Sequence, residues 1–191
     1  VWTLTNLYEL VLGYNQLSGE IPPDIGNLIN LDYRLYLNDN QLSGEIPSEI
    51  WTLTEVWSLS LSDNQFTGEI SSDIGNMINS ENSNIYLSNN QLSGEIPSEI
   101  WNLTNLKDLT LHNNQLSGEI SSEIGQLTNL TYLRLDSNQL TGEIPVEICN
   151  QGDSTPSLSG NQLCPPYPEC LTEEDIGYQE ISQCPGEDCE I

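Results

Sequence analysis

The chain has 191 residues, with 29 Asp and Glu against 3 Lys and Arg, for a formal charge of −26. That balance offers no basic surface to nucleic acid or to anionic membranes, and no apolar run approaches the roughly 20 residues that a spanning helix needs, so direct membrane insertion is not expected. The length fits one domain, two at most. The first residues, Val1-Trp2-Thr3-Leu4-Thr5, show no initiator Met, basic segment or apolar segment. The expectation is either a chain whose signal peptide has been removed or a piece of a longer protein.

From there the chain repeats itself. Asn-Gln recurs at Asn15, Asn40, Asn64, Asn90, Asn114, Asn138 and Asn161, at spacings of 25, 24, 26, 24, 24 and 23 residues. Around each Asn runs Leu-x-Leu-x-x-Asn-Gln-Leu-[Ser/Thr]-Gly-Glu-Ile-[Pro/Ser], as in Leu133, Leu135, Asn138, Leu140, Gly142, Ile144 and Pro145. This pattern resembles the leucine-rich repeat family, in its plant-type class with the Leu-x-Gly-x-Ile-Pro signature. The resemblance covers residues 1–163, about seven coils, and leaves 164–191 as a Cys/Pro-rich acidic C-terminal cap and tail. It implies a curved right-handed solenoid with a parallel β-sheet on the concave face. A unit of this size cannot bury its own leucines, so coils must stack around a shared core.

Physical chemistry adds detail to the coil. Segments such as Leu10-Val11-Leu12 and Leu133-Arg134-Leu135 alternate as half-buried strands do. The repeated Asn should turn inward, its amide satisfying backbone groups of neighbouring coils. Gly19, Gly44, Gly68, Gly94, Gly118 and Gly142 mark a conformation that other residues tolerate poorly. The Pro after Glu-Ile restricts helix on the convex side to short 3-10 turns. Trp2, Trp51 and Trp101 alternate with Gly26, Gly75 and Gly125 at one position. The preferred reading is packing, each indole over the space left by glycine in the next coil; an aromatic track for sugars is the alternative. The stretches Leu31–Leu35 and Met77–Asn84 hold one and two extra residues and read as bulges.

Cys149, Cys164, Cys170, Cys184 and Cys189 all lie in the final 43 residues. Proteins that this chain resembles close their ends with disulfide-bonded segments, and no His or paired Cys-x-x-Cys supports the competing zinc site. Disulfides imply an oxidising, extracellular or cell-surface setting. Their pairing is not legible from spacing, and an odd count leaves one thiol over.

The outward strand positions are Glu9, Val11, Gly13; Arg34, Tyr36, Asn38; Ser58, Ser60, Ser62; Asn84, Tyr86, Ser88; Asp108, Thr110, His112; and Tyr132, Arg134, Asp136. Both arginines and the sole histidine fall there, beside Lys107. Arg34, Tyr36, Tyr86, Asp108, His112, Tyr132, Arg134 and Asp136 are therefore the candidate ligand-binding residues, tyrosine and arginine being common anchors of recognition. Two acidic ladders, Glu20 to Glu143 and Asp24 to Glu147, place carboxylates about 5 Å apart, repelling by about 0.8 kcal/mol per pair in water. The preferred reading is a solvated face; Ca²⁺ on the ladders is the alternative, without an Asp-rich calcium loop to carry it. Asn102 and Asn129 begin Asn-Leu-Thr sequons and are the glycosylation candidates.

No nucleophile motif accompanies His112 and no phosphate-cradling loop is present, so no enzyme, cofactor or metal is expected. The resemblance to receptor-kinase ectodomains and polygalacturonase-inhibiting proteins implies a protein, peptide or glycan ligand on the concave face. The alternative is a structural subunit that self-associates head to tail into a filament, its C-terminal segment covering the bare first coil of the next. Ice binding is a third reading, resting on ranks of Ser, Thr and Gln.

Overall fold

The computed structural model describes residues 2–77 and 83–185. Each coil begins with a short strand, and these strands (Leu10–Val11, Arg34–Tyr36, Ser58–Ser60, Ser83–Tyr86, Leu106–Thr110 and Tyr132–Arg134) pair in chain order into one parallel sheet. After the Asn the chain enters a second parallel sheet, from Ser18–Gly19 through Gln41–Glu45, Gln65–Glu69, Gln91–Glu95, Gln115–Glu119 and Gln139–Glu143 to Gln162–Cys164. A 3-10 turn closes the coil, as at Ser98–Asn102, with Pro or Ser as its N-cap. The leucines and isoleucines of successive coils form one continuous core between these layers.

The second sheet goes beyond the sequence reading, which places one sheet on the concave face and 3-10 turns or irregular backbone on the convex side. Its strands alternate poorly, because Gly occupies the fourth position and all six repeat glycines have φ between 76° and 86°. Close stacking supplies the reason for that glycine. A Cβ on Gly94 would lie 2.8 Å from Glu69 Cγ, and Gly44, Gly68, Gly118 and Gly142 face the preceding coil's glutamate in the same way. Glu20, Glu45, Glu69, Glu95 and Glu119 of the first acidic ladder therefore each lie across the glycine of the next coil.

The expected asparagine ladder is present. Asn114 Nδ2 donates to Leu87 O and Leu111 O, each at 3.0 Å, and its Oδ1 accepts from Leu92 N at 3.0 Å. The same set recurs at Asn40, Asn64, Asn90 and Asn138. Asn161 continues it, and then Gln179 takes over: its Nε2 donates to Leu158 O and Ile176 O, and its Oε1 accepts from Leu163 N. A segment whose sequence shows no repeat thus supplies one more rung. It is shaped by the helix Glu173–Ile176, where Thr172 and Asp175 cap each other reciprocally. Disulfides Cys149–Cys170 and Cys164–Cys184 tie this segment to the last coils. Cys189 lies outside the described residues, as does the middle of the Met77–Asn84 insertion.

Trp51 and Trp101 are completely buried, which removes them from any sugar track. The space left by the glycines is filled differently from the expectation. The atoms nearest a Cβ on Gly26, Gly75 and Gly125 belong to Glu49, Glu99 and Glu147 of the following coil. Glycine here admits the neighbouring turn itself, and the 3-10 turns pack more closely across the glycine side than across the tryptophan side.

Two stability measurements check this account. Asn114→Ala leaves buried amide and carbonyl groups unpaired and should lower unfolding stability by about 2–4 kcal/mol in urea titration. Gly94→Ala should lower it by about 1–3 kcal/mol, since it combines a positive φ with a blocked approach, whereas Ser93→Ala should stay within about 0.5 kcal/mol.

Candidate functional site

The first sheet lines its outward residues up in columns. Arg34, Ser58, Asn84, Asp108 and Tyr132 share one column; Val11, Tyr36, Ser60, Tyr86, Thr110 and Arg134 form the next. In-register stacking brings the predicted residues onto one face, in two groups rather than one.

The first group surrounds Arg34. Its Nη1 bonds Glu9 Oε1 at 3.2 Å and its Nη2 donates to Tyr33 Oη at 2.8 Å. The guanidinium lies 4.3 Å from the Tyr33 ring centroid and 5.7 Å from that of Tyr36. Tyr33 in turn contacts Tyr8 at 5.9 Å and Trp57 at 4.5 Å between centroids. This aromatic row is missing from the sequence-based candidates, although the signal is present: Tyr8, Tyr33 and Trp57 each stand one place before the first outward position.

The second group lies at the other end. Arg134 Nε and Nη2 grip Asp136 Oδ1 and Oδ2 at 2.9 and 2.8 Å, a bidentate pair with Asp136 nearly buried. Tyr86 donates to Asp108 Oδ2 at 2.6 Å, and Thr131 donates to Asp108 Oδ1 at 3.2 Å. Burial and then this bond to Asp108 push the Tyr86 phenol well above its ordinary range. Both arginines are therefore paired within the face, and Lys107 beside it is the cation outside those two ion pairs among the described residues. Between the groups lies a floor of buried hydroxyls, Ser58, Ser60, Ser62, Ser88 and Thr110.

His112 is half-buried, and its Nδ1 is enclosed without a hydrogen-bond partner. Burial foremost, then the positive charge of Arg134, pulls its pKa below the ordinary imidazole value; Asp136 and Asp63 oppose this. Beside it runs a rim of residues with positive φ that includes Asp39 and Asp63. Burial and the neighbouring Asp39 raise the Asp63 carboxyl. Asn102, at the end of the 3-10 turn Ser98–Asn102, and Asn129, shortly before the strand Tyr132–Arg134, are both exposed, and Asn129 Nδ2 donates to Thr104 O at 2.9 Å. Among the described residues no cluster of His, Cys, Asp and Glu suited to a metal ion occurs.

The family model for Leucine Rich Repeat matches residues 6–28, 33–53, 56–77, 83–103, 105–127 and 129–151. No curated protein matches. Among solved structures, the chain is similar to the plant peptide hormone receptor RGFR1 in complex with RGF2, at 37% identity and a TM-score of 0.80, over 85% of this chain and 26% of that one. It is similar to the ectodomain of the Arabidopsis receptor kinase HAESA in complex with an N-terminally extended IDA peptide hormone, at 40% identity and a TM-score of 0.77, over 84% and 27%. A third likeness, to a chain of the BIR3–SERK2 complex from Arabidopsis thaliana, has 36% identity and a TM-score of 0.60, over 74% and 73%. The chain thus spans about a quarter of the length of the two peptide-bound receptors.

The single histidine makes its environment directly measurable. Its imidazole resonance should titrate below 6.5, and Arg134→Gln should move the midpoint upward, because Asp136 then acts unopposed. A depressed imidazole pKa means that the unfolded chain binds the proton more readily. His112 therefore contributes stability that is complete above pH 6.5 and is lost as pH falls through the folded value, and His112→Gln should flatten that part of the profile.

Proposed function

As the chain belongs to the leucine-rich repeat family, we propose that it is an extracellular, non-enzymatic recognition module whose concave face binds a protein or peptide. The observation that carries this reading is the ordered concave sheet itself. It aligns Arg34, Tyr36, Tyr86, Asp108, His112, Tyr132, Arg134 and Asp136 as one pre-formed surface of rigid aromatic and paired charged groups. Such a surface loses little side-chain entropy on binding, because its long side chains are already held by Glu9, Ser58, Asp108 and Asp136. The peptide-bound receptors it resembles support the same assignment. The two disulfides support an oxidising, extracellular location, where the exposed Asn102 and Asn129 are available to glycan. Glycan ligands and Ca²⁺ on the acidic ladders gain no specific support. Filament assembly and ice binding gain none from the relatives' known partners.

The test is selection of a displayed random-peptide library on the native, disulfide-intact protein, followed by binding measurements on concave and convex variants. Peptides are expected that lose about tenfold or more in affinity with Tyr86→Ala or Arg134→Ala and retain it with Ser98→Ala on the convex turn. Binders indifferent to every concave substitution would sink the assignment.

A further inference from the structure

Tyr36 and Tyr86 occupy the same column of the concave sheet, two coils apart, with Ser60 between them. Each leans onto the following coil in the same way. The Tyr36 hydroxyl meets Ser58 Oγ at 2.9 Å, and the Tyr86 hydroxyl meets Asp108 Oδ2 at 2.6 Å. The hydroxyls are thus occupied, and each ring is anchored at both ends along the sheet. The outward residues beneath are correspondingly covered: Ser58 is 2% exposed, Ser60 7% and Thr110 4%. What these tyrosines offer a ligand is aromatic surface. Tyr132, two coils further and one column over, is half exposed and extends the series.

The spacing of these platforms selects a ligand conformation. Two strand intervals amount to about 9.5 Å. A peptide crossing the strands in β conformation presents same-side residues about 6.6 or 13 Å apart, and neither distance fits. A polyproline II helix has three residues per turn and rises about 9.3 Å per turn, so residues i and i+3 fall on successive platforms. Proline rings against aromatic surface are the usual basis of such recognition, and the helix is already ordered before it binds.

Charge narrows the ligand further. Arg34 and Arg134 are paired with Glu9 and Asp136. Asp39 and Asp63, on the rim of the coils that carry Tyr36 and Ser60, have no Lys or Arg partner among the described residues. The chain as a whole carries −26. Set against Lys107, the cation beside the face that is in neither ion pair, Asp39 and Asp63 leave the free field at this face negative, and a cationic ligand complements it.

Resting on the recognition reading above, we propose that the concave face binds a basic, proline-rich segment in polyproline II conformation, seating prolines three residues apart on Tyr36 and Tyr86. A neutral linear glycan could also place same-facing sugar rings on aromatic platforms. It is disfavoured here because the arginine groups and tyrosine hydroxyls that would bond its hydroxyls are already engaged within the face.

The experiment is calorimetric titration of the native protein with Pro-Pro-Lys repeated four times, the equally charged Gly-Gly-Lys repeated four times, and cellohexaose. The proline peptide is expected to bind about tenfold or more tightly than the glycine peptide, and to weaken as salt rises. The double variant Tyr36→Ala, Tyr86→Ala should lose about tenfold or more. Tyr36→Phe, which keeps the ring and drops only the bond to Ser58, should retain binding, and circular dichroism establishes that each variant is folded. Equal binding of the two peptides would overturn the proposal as simple charge attraction. Binding of cellohexaose in their place would overturn it in favour of a glycan. Library peptides that need the concave face but lack prolines three apart would overturn it while leaving the recognition reading intact.

Discussion

Everything else in this fold depends on the hydrogen bonds of one side chain. When the backbone leaves the concave strand it turns away from its neighbours' ladder, and groups such as Leu92 N and Leu87 O are left inside the stack. Buried and unpaired they would each cost about 1–3 kcal/mol. The asparagine amide, a double donor and an acceptor, reaches both its own coil and the preceding one. It thereby fixes the register between coils as well as closing the turn within one. The spacing from Asn161 to Gln179 is 18 residues instead of about 24, and there the longer glutamine reaches the same three kinds of partner. The function of the rung is kept while the residue and the spacing change.

Strict register places like upon like. That is favourable for leucine in the core and unfavourable for glutamate on the second sheet, where identical carboxylates follow one another at about one strand spacing. The structure offsets this by geometry: the methylenes of Glu69 lie across Gly94, as those of Glu95 lie across Gly118. Each carboxylate thus covers backbone and remains in water, so the ladder combines packing with solvation. The glycine is fixed by two independent demands, its positive φ and the glutamate above it, which explains why the repeat holds Gly and Glu together.

The sequence revealed those features that repeat and concealed those that do not. Asparagine, leucine and glycine positions announce coils, and the columns Arg34, Ser58, Asn84, Asp108, Tyr132 follow directly from the period. The second sheet was hidden because a glycine with positive φ does not look like a strand residue. The Gln179 rung was hidden because Thr172-Glu173-Glu174-Asp175-Ile176 satisfies local helix-capping rules and gives no sign of the long-range contact. At the candidate site, sequence located the charges but not their pairing. Arg134 and Asp136 stand two residues apart in the sequence, yet only side-chain rotamers decide whether they grip each other or a ligand.

That internal pairing shapes what the face can recognise. A free arginine attracts any anion at long range and confers affinity with little selectivity, whereas one held bidentate by Asp136 acts as part of a rigid wall. With its arginines paired and the hydroxyls of Tyr36 and Tyr86 bonded, the concave sheet discriminates through the spacing of aromatic surface over a floor of small hydroxyls. Spacing of this kind is set by the strand interval of the parallel sheet, and the asparagine ladder holds successive coils in the register at which those strands pair. The interaction that registers the stack therefore also keeps the aromatic surfaces aligned on the distance scale at which a ligand is read.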